Sequence, residues 1–124
     1  MLFRSDGTTA QLAAMLTGME ERKQQEARKR MSSSKPVDSW RWIFKNYKEK
    51  GYATMFSEDS PGYASFNYRL NGFHDPPTDH YARPFWLEAD KIVSQHCINN
   101  RASHVVSLEY LRSEEHTSEL QSQR

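Results

Sequence analysis

The chain has 124 residues, enough for one small domain. Hydrophobic residues make up 36% and mean hydropathy is -0.91, so the core is lean and parts of the chain stay exposed. With 17 basic and 16 acidic residues the formal charge is +1, which gives no global field for attracting nucleic acid or a membrane surface.

The stretch that organises the rest is Asp6 to Gly18, DGTTAQLAAMLTG. The Asp6-Gly7 turn runs into Thr8-Thr9 and then Ala10, Leu12, Ala13, Met15 and Leu16. A hydroxyl before helical periodicity predicts a helix start with Thr8 as N-cap, and Gly18 predicts its end. Leu2-Phe3 fits the last residues of a preceding strand. Strand, turn, hydroxyl and helix together present an oxygen nucleophile. The helix N-terminus adds unbonded N–H groups and a partial positive charge suited to an anionic ester. A hydroxyl of this turn is the candidate nucleophile, and the plainer reading of Thr8 is an N-cap alone.

Met19 to Arg30, MEERKQQEARKR, predicts a charged surface helix supported by acid–base neighbours at helical spacing. Its basic cluster Arg28-Lys29-Arg30 reads as a solvated face rather than a nucleic-acid contact, because acids are interleaved. Met31 to Pro36 is a linker. Asp38 is placed as an N-cap, and Trp40, Ile43, Phe44 and Tyr47 fall at i, i+3, i+4 and i+7, predicting a helix over Ser39 to Lys50 that Gly51 ends.

Tyr52 to Ser57 predicts a short strand, so helix, Gly and strand form the second half of a βαβ unit. Glu58 and Asp59 then lie at the strand's carboxyl end, where open parallel sheets bind ligands; the plainer reading is two solvated loop acids. Ser60 to Tyr81 is loop-like, with Pro61-Gly62, Asn71-Gly72 and Pro76-Pro77 as turn signals. His74, Asp75, Asp79 and His80 are donor types for zinc or manganese. Pro76-Pro77 gives no helical face that unites all four, so an ordered loop at a cleft rim is the favoured reading. Arg83 is the best anion-binding candidate, with a salt bridge to Asp79 or Glu88 as its alternative. A helix is predicted from Trp86 through LEADKIV, and another near Ser103 to Leu111. Cys97 is the single cysteine, so no internal disulfide is possible. No apolar run approaches the ~18–20 residues of a spanning helix, and no signal peptide is visible.

These residues carry a resemblance. Counting back from Leu16-Thr17-Gly18 places Thr8 where sulfatases have Cys in Cys-x-Pro-Ser-Arg-Ala-x-Leu-x-Thr-Gly. The chain also reads Gly51-Tyr52-Ala53-Thr54, Glu58-Asp59, Phe66-Asn67-Tyr68, Gly72-Phe73, Pro77-Thr78-Asp79, Tyr81 and Arg83-Pro84-Phe85. In order and spacing this resembles an uncharacterised sulfatase-like animal family, a domain of unknown function in the alkaline-phosphatase/sulfatase superfamily. The resemblance covers about Asp6 to Leu111. It departs at Gly7, Ala10 and Gln11, where the family has Asn, Pro and Asn.

The resemblance implies an α/β fold, as part of an alkaline-phosphatase-like three-layer fold. It implies a metal-dependent phosphoester, or sulfatase-like, hydrolase with Thr8 as nucleophile and metal ligand. A divalent metal pair, zinc by expectation, is implied as cofactor, with the other ligands outside this chain. Asn67 and Arg83 are expected to bind substrate, and Glu58, Asp59, Thr78 and Asp79 to line the cleft rim. Thr8 does not become the formylglycine that sulfatases make from Cys or Ser. Acids also stand where sulfatases have a sulfate-holding Lys. Both departures favour phosphate-ester chemistry. The chain alone is expected to be inactive, and the alternative is a non-catalytic extracellular sulfatase-like binding protein. The location implied is extracellular or the secretory-pathway lumen; membrane anchor and oligomeric state stay open. Arg112 to Ser122, RSEEHTSELQS, is similar to the translation of a common sequencing-library adapter. Residues 1–111 are therefore expected to be the domain fragment and 112–124 an artefactual tail.

Overall fold

In a computed structural model, residues 7–92 and 97–122 are described. The fold is mixed α/β: α1 (Thr8–Thr17), α2 (Ile43–Glu49), β1 (Met55–Phe56), β2 (His80–Tyr81), α3 (Arg83–Ile92), β3 (Cys97–Ile98), β4 (Arg101–Ala102) and α4 (Ser103–Ser122). The expected strand at Leu2-Phe3 lies outside the described residues.

Helix α1 starts one residue earlier than a Thr8 cap requires. Gly7, at φ 93°, is the N-cap, and Thr8 is the first helical residue. Gly18 ends the helix as predicted, at φ 72° with its N–H donating to the Ala14 carbonyl. Thr17 Oγ1 donates back to Ala13 O at 2.7 Å, so the last turn buries a hydroxyl without leaving it unbonded.

The charged stretch after α1 is not the predicted helix. Only a 3-10 turn forms, at Glu21–Lys23. The chain then runs extended beside residues 69–71, with an isolated antiparallel bridge between Arg28 and Leu70. Asn71 N donates to Ala27 O at 2.8 Å and Lys29 N to Arg69 O at 3.0 Å, which engages backbone groups that a helix would need for itself. Ala27 is only 2% exposed, and the Arg69 guanidinium grips the Glu21 carboxylate with two N–H groups. Tertiary pairing outweighs the weak propensity of an isolated charged helix.

The second predicted helix is likewise shorter. A 3-10 turn at Val37–Ser39 precedes an extended stretch, and α2 begins only at Ile43. Trp40, Trp42 and Phe44 stack in sequence, with ring centroids 5.7 and 5.2 Å apart. Trp40 and Trp42 are alternate residues of an extended stretch and share a face, and Phe44 in the first turn of α2 continues their stack in place of the expected period near 3.6. Ile43 and Tyr47 of the expected stripe are exposed instead. The indole N–H groups donate to Gln25 O (Trp40) and Val37 O (Trp42), which lets both rings be buried. Asp38 caps no helix; its carboxylate accepts the backbone N–H of His74 and Asp75 at 2.8 and 2.9 Å. Gly51, at φ 86°, follows α2 as predicted, its N–H donating to Lys48 O.

The strand expected over Tyr52 to Ser57 is reduced to β1. It pairs in parallel with β2, Met55 opposite His80 and Phe56 opposite Tyr81, so the end of the predicted loop is a strand. Helix α3 starts at Arg83 rather than Trp86 and buries the Trp86 ring, whose N–H donates to Ser57 Oγ at 3.2 Å. Strands β3 and β4 form a hairpin turned by Asn99 and Asn100 at φ 49° and 62°, the two successive positive values of a type I′ turn. Cys97 is an exposed free thiol.

The core is Ala13, Ala27, Val37, Trp40, Trp42, Phe66 and Leu70, with Leu12, Leu16, Phe44, Phe56 and Phe73 packed against it. Trp42 is 0% exposed, with Phe66 at 4.8 Å and Phe73 at 5.1 Å between centroids. Replacing Trp42 with Ala is expected to cost about 3–5 kcal/mol in chemical denaturation. Tyr63→Ala, at a 76% exposed ring, is expected to stay within about 0.5 kcal/mol.

Candidate functional site at the start of α1

Thr8 is exposed at the first position of α1. With glycine as the N-cap, no side chain among the described residues caps the helix, and no acid occupies its first turn. The leading N–H groups therefore keep their capacity for an anion, and no carboxylate of that turn opposes one. The neighbouring Thr9 is anchored: its Oγ1 donates to Ser65 O at 2.9 Å.

That anchor leads to the acids at the end of β1. Glu58 Oε1 accepts both the Ser65 N–H at 2.9 Å and the Ser65 hydroxyl at 2.6 Å. Asp59 Oδ2 accepts the hydroxyl of Ser103, the first residue of α4, at 2.5 Å. The adjacent acids thus reach toward the starts of two different helices. Neither is a merely solvated loop charge.

Thr78 and Asp79 lie on another part of the structure. Thr78 is 3% exposed, and its hydroxyl donates to His80 O. One Asp79 oxygen accepts the Thr54 N–H at 3.0 Å and the Thr54 hydroxyl at 2.8 Å, while the other pairs with Lys48 Nζ at 2.7 Å. Lys48 first, and then the Thr54 hydroxyl and N–H, hold the Asp79 carboxyl at about 2, well below its ordinary 3.8. This clamp joins α2 to the residues flanking β1 and β2.

Asn67 and Arg83 do meet. With Phe56, Glu58, Ala64 and Tyr81 they line a cavity of about 10 Å³, the room that one water molecule takes. Arg83 Nη1 donates to Pro61 O at 2.8 Å, so neither Asp79 nor Glu88 takes up that nitrogen. Gly72 has φ 70°, which favours glycine, and a Cβ there would displace the Asn67 amide, 1.9 Å away. The Tyr81 hydroxyl is buried without a hydrogen-bond partner among the described residues, and burial raises its pKa.

His74, Asp75, Asp79 and His80 do not converge. His74 Nδ1 faces Asp75 at 3.0 Å in solvent, Asp79 is held by Thr54 and Lys48, and the His80 ring lies edge-on to Tyr110. Among the described residues no group of three His, Cys, Asp or Glu side chains is placed to hold a metal ion. A concavity of about 770 Å³ lies between α1 and residues 19–28, with Trp40, Arg69 and Leu70 also in its walls. It has no sequence signal, because it exists only where residues 19–28 leave the helical path.

Fold and site together define a small mixed α/β protein with an exposed threonine at an uncapped helix start, braced from a strand end. The chain belongs to the family described as Protein of unknown function (DUF229), whose model matches residues 5–118. No curated protein matches it, and no solved structure does.

The Asp79 clamp makes a pH prediction. A carboxyl whose pKa falls on folding adds stability above its unfolded value, and that stability is lost as pH drops through the folded value. Asp79→Asn is therefore expected to be less stable than the unaltered chain at neutral pH. The difference should shrink between pH 3.8 and about 2, as followed by urea melts across that range.

Proposed function

We propose that this chain carries the nucleophile segment of a phosphoester hydrolase of the alkaline-phosphatase/sulfatase superfamily, with Thr8 as the attacking residue. The observation that supports this most is the exposed Thr8 hydroxyl at a helix start with no capping side chain among the described residues and no first-turn acid. Those N–H groups suit the doubly charged ester oxygens and the charge that grows on them. In the reaction, Thr8 Oγ1 forms a bond to phosphorus as the bond to the alcohol oxygen breaks. The Thr8 proton is lost to solvent and the departing alkoxide takes one up. Water then hydrolyses the phosphothreonine, returning the hydroxyl and inorganic phosphate.

The divalent pair expected with such chemistry, zinc in the first instance, would draw Thr8 from this chain. The described residues assemble no further set of donors around it, so its other ligands would come from outside them. The chain by itself is proposed to be inactive and the parent protein to be extracellular or lumenal.

A second reading has its own support. Glu58, Asp59, Asp79 and Arg83 are all engaged in intramolecular bonds, as expected of a non-catalytic extracellular binding protein that keeps the fold.

The test is a phosphate monoester assay on the longest natural form of the protein. Thr8→Ala is expected to lower kcat by roughly a thousandfold or more. Mass spectrometry of acid-quenched enzyme should find phosphate on Thr8. Turnover that survives Thr8→Ala would sink the nucleophile assignment, and absence of any turnover would favour the binding protein.

A further inference from the structure

We propose that Glu58 is a positioning residue for the start of α1, acting through Ser65 and Thr9. This deepens, and rests on, the reading of Thr8 as the reacting group. The argument begins with what α1 lacks. Its N-cap is Gly7, and a glycine has no side chain to bond the first N–H groups. The first helical turn has no intrahelical partners for its N–H groups, so it is where a helix frays. Thr8 lies in that turn, and a reacting hydroxyl needs a fixed place.

The bonds that supply the missing restraint come from far along the chain. Thr9 Oγ1 donates to Ser65 O across 56 residues. Ser65 is itself held by two donors on a single oxygen of Glu58, its N–H at 2.9 Å and its hydroxyl at 2.6 Å. A carboxylate accepting two bonds from one residue fixes that residue's peptide orientation and hence the direction of its carbonyl. Glu58 follows β1, which β2 holds in register. Thr9 is β-branched with few rotamers, so a bond at its hydroxyl also restrains the helix backbone. The restraint runs from β1 through Glu58, Ser65 and Thr9 to the residue beside Thr8.

The experiment is residue-resolved amide exchange by NMR on the full chain. The Gln11 N–H, which donates to Gly7 O at 3.3 Å, reports the first turn, and the Leu16 N–H reports the helix interior. Thr9→Val is expected to lower Gln11 protection roughly five- to tenfold while Leu16 changes less than about twofold. Thr9→Ser, which keeps the hydroxyl, should restore Gln11. Glu58→Ala should reproduce the effect, and adding Thr9→Val to it should bring no further loss. If Glu58→Ala does not fold, Ser65→Ala decides, because it removes the hydroxyl bond to Glu58 and keeps the carbonyl that Thr9 bonds; it should lower Gln11 protection as well. Unchanged Gln11 protection in Thr9→Val, an equal fall at Leu16, or additive losses in the double variant would each overturn the proposal. The readout is independent of turnover: absence of phosphate on Thr8 would remove the nucleophile reading and leave the exchange result standing.

Discussion

The extended turn through Trp40 and Trp42 into Phe44, in the first turn of α2, is the constraint on which the rest depends. It places three aromatic rings in a stack, with Trp42 wholly buried at its centre. Phe66 and Phe73 close on that indole from the later loops, and Ala13 and Ala27 belong to the same core. Burial of aromatic area dominates the favourable side of folding in a core this lean. The regular elements are short, and β1 and β2 have two residues each, so the sheet alone cannot define the architecture. Loop residues that pack on Trp42 do that instead.

This explains what could and could not be read from the residues in order. The stops at Gly18 and Gly51 were legible because a left-handed cap is a local requirement that glycine meets without strain. The α/β class came from the resemblance and from the helix, glycine and strand read over residues 39–57. Residues 19–30 were not, because local charge spacing says helix while the partner of their backbone groups lies at 69–71. Trp40 to Phe44 satisfied two periods at once, and only the ring partners from the loops decide which residues face the core. The Asn99-Asn100 pair, in contrast, carried a usable local signal: asparagine tolerates the left-handed region, and two in succession mark a tight hairpin.

At the site, position along the chain located Glu58 and Asp59 at a strand end, and the structure agrees on that placement. It differs in what the carboxylates do. Their hydroxyl partners, Ser65 and Ser103, have no motif that announces them. Asp79 finds Thr54 and Lys48 in the same way. A carboxylate beside a cleft and a carboxylate bracing a loop look identical in sequence, because the difference lies in donors that only folding brings near. Thr8 is the reverse case, since an exposed hydroxyl at a helix start follows from the turn and the periodicity beside it.

The pairings that hold the molecule together are widely separated in sequence: Thr9 with Ser65, Glu21 with Arg69, and Thr54 with Asp79. Such contacts impose a kinetic consequence. Each must close a long loop before any burial rewards it, and a parallel strand pair separated by a 60–79 loop adds to that entropy. Helices α1, α2 and α3 contribute local contacts, but at 10, 7 and 10 residues they are too short to persist alone. Folding is therefore expected to be slower than local helical contacts alone would set. During synthesis the segment through Trp42 emerges with its rings uncovered until residues 66–73 follow, which makes that interval the exposed moment in the life of the protein.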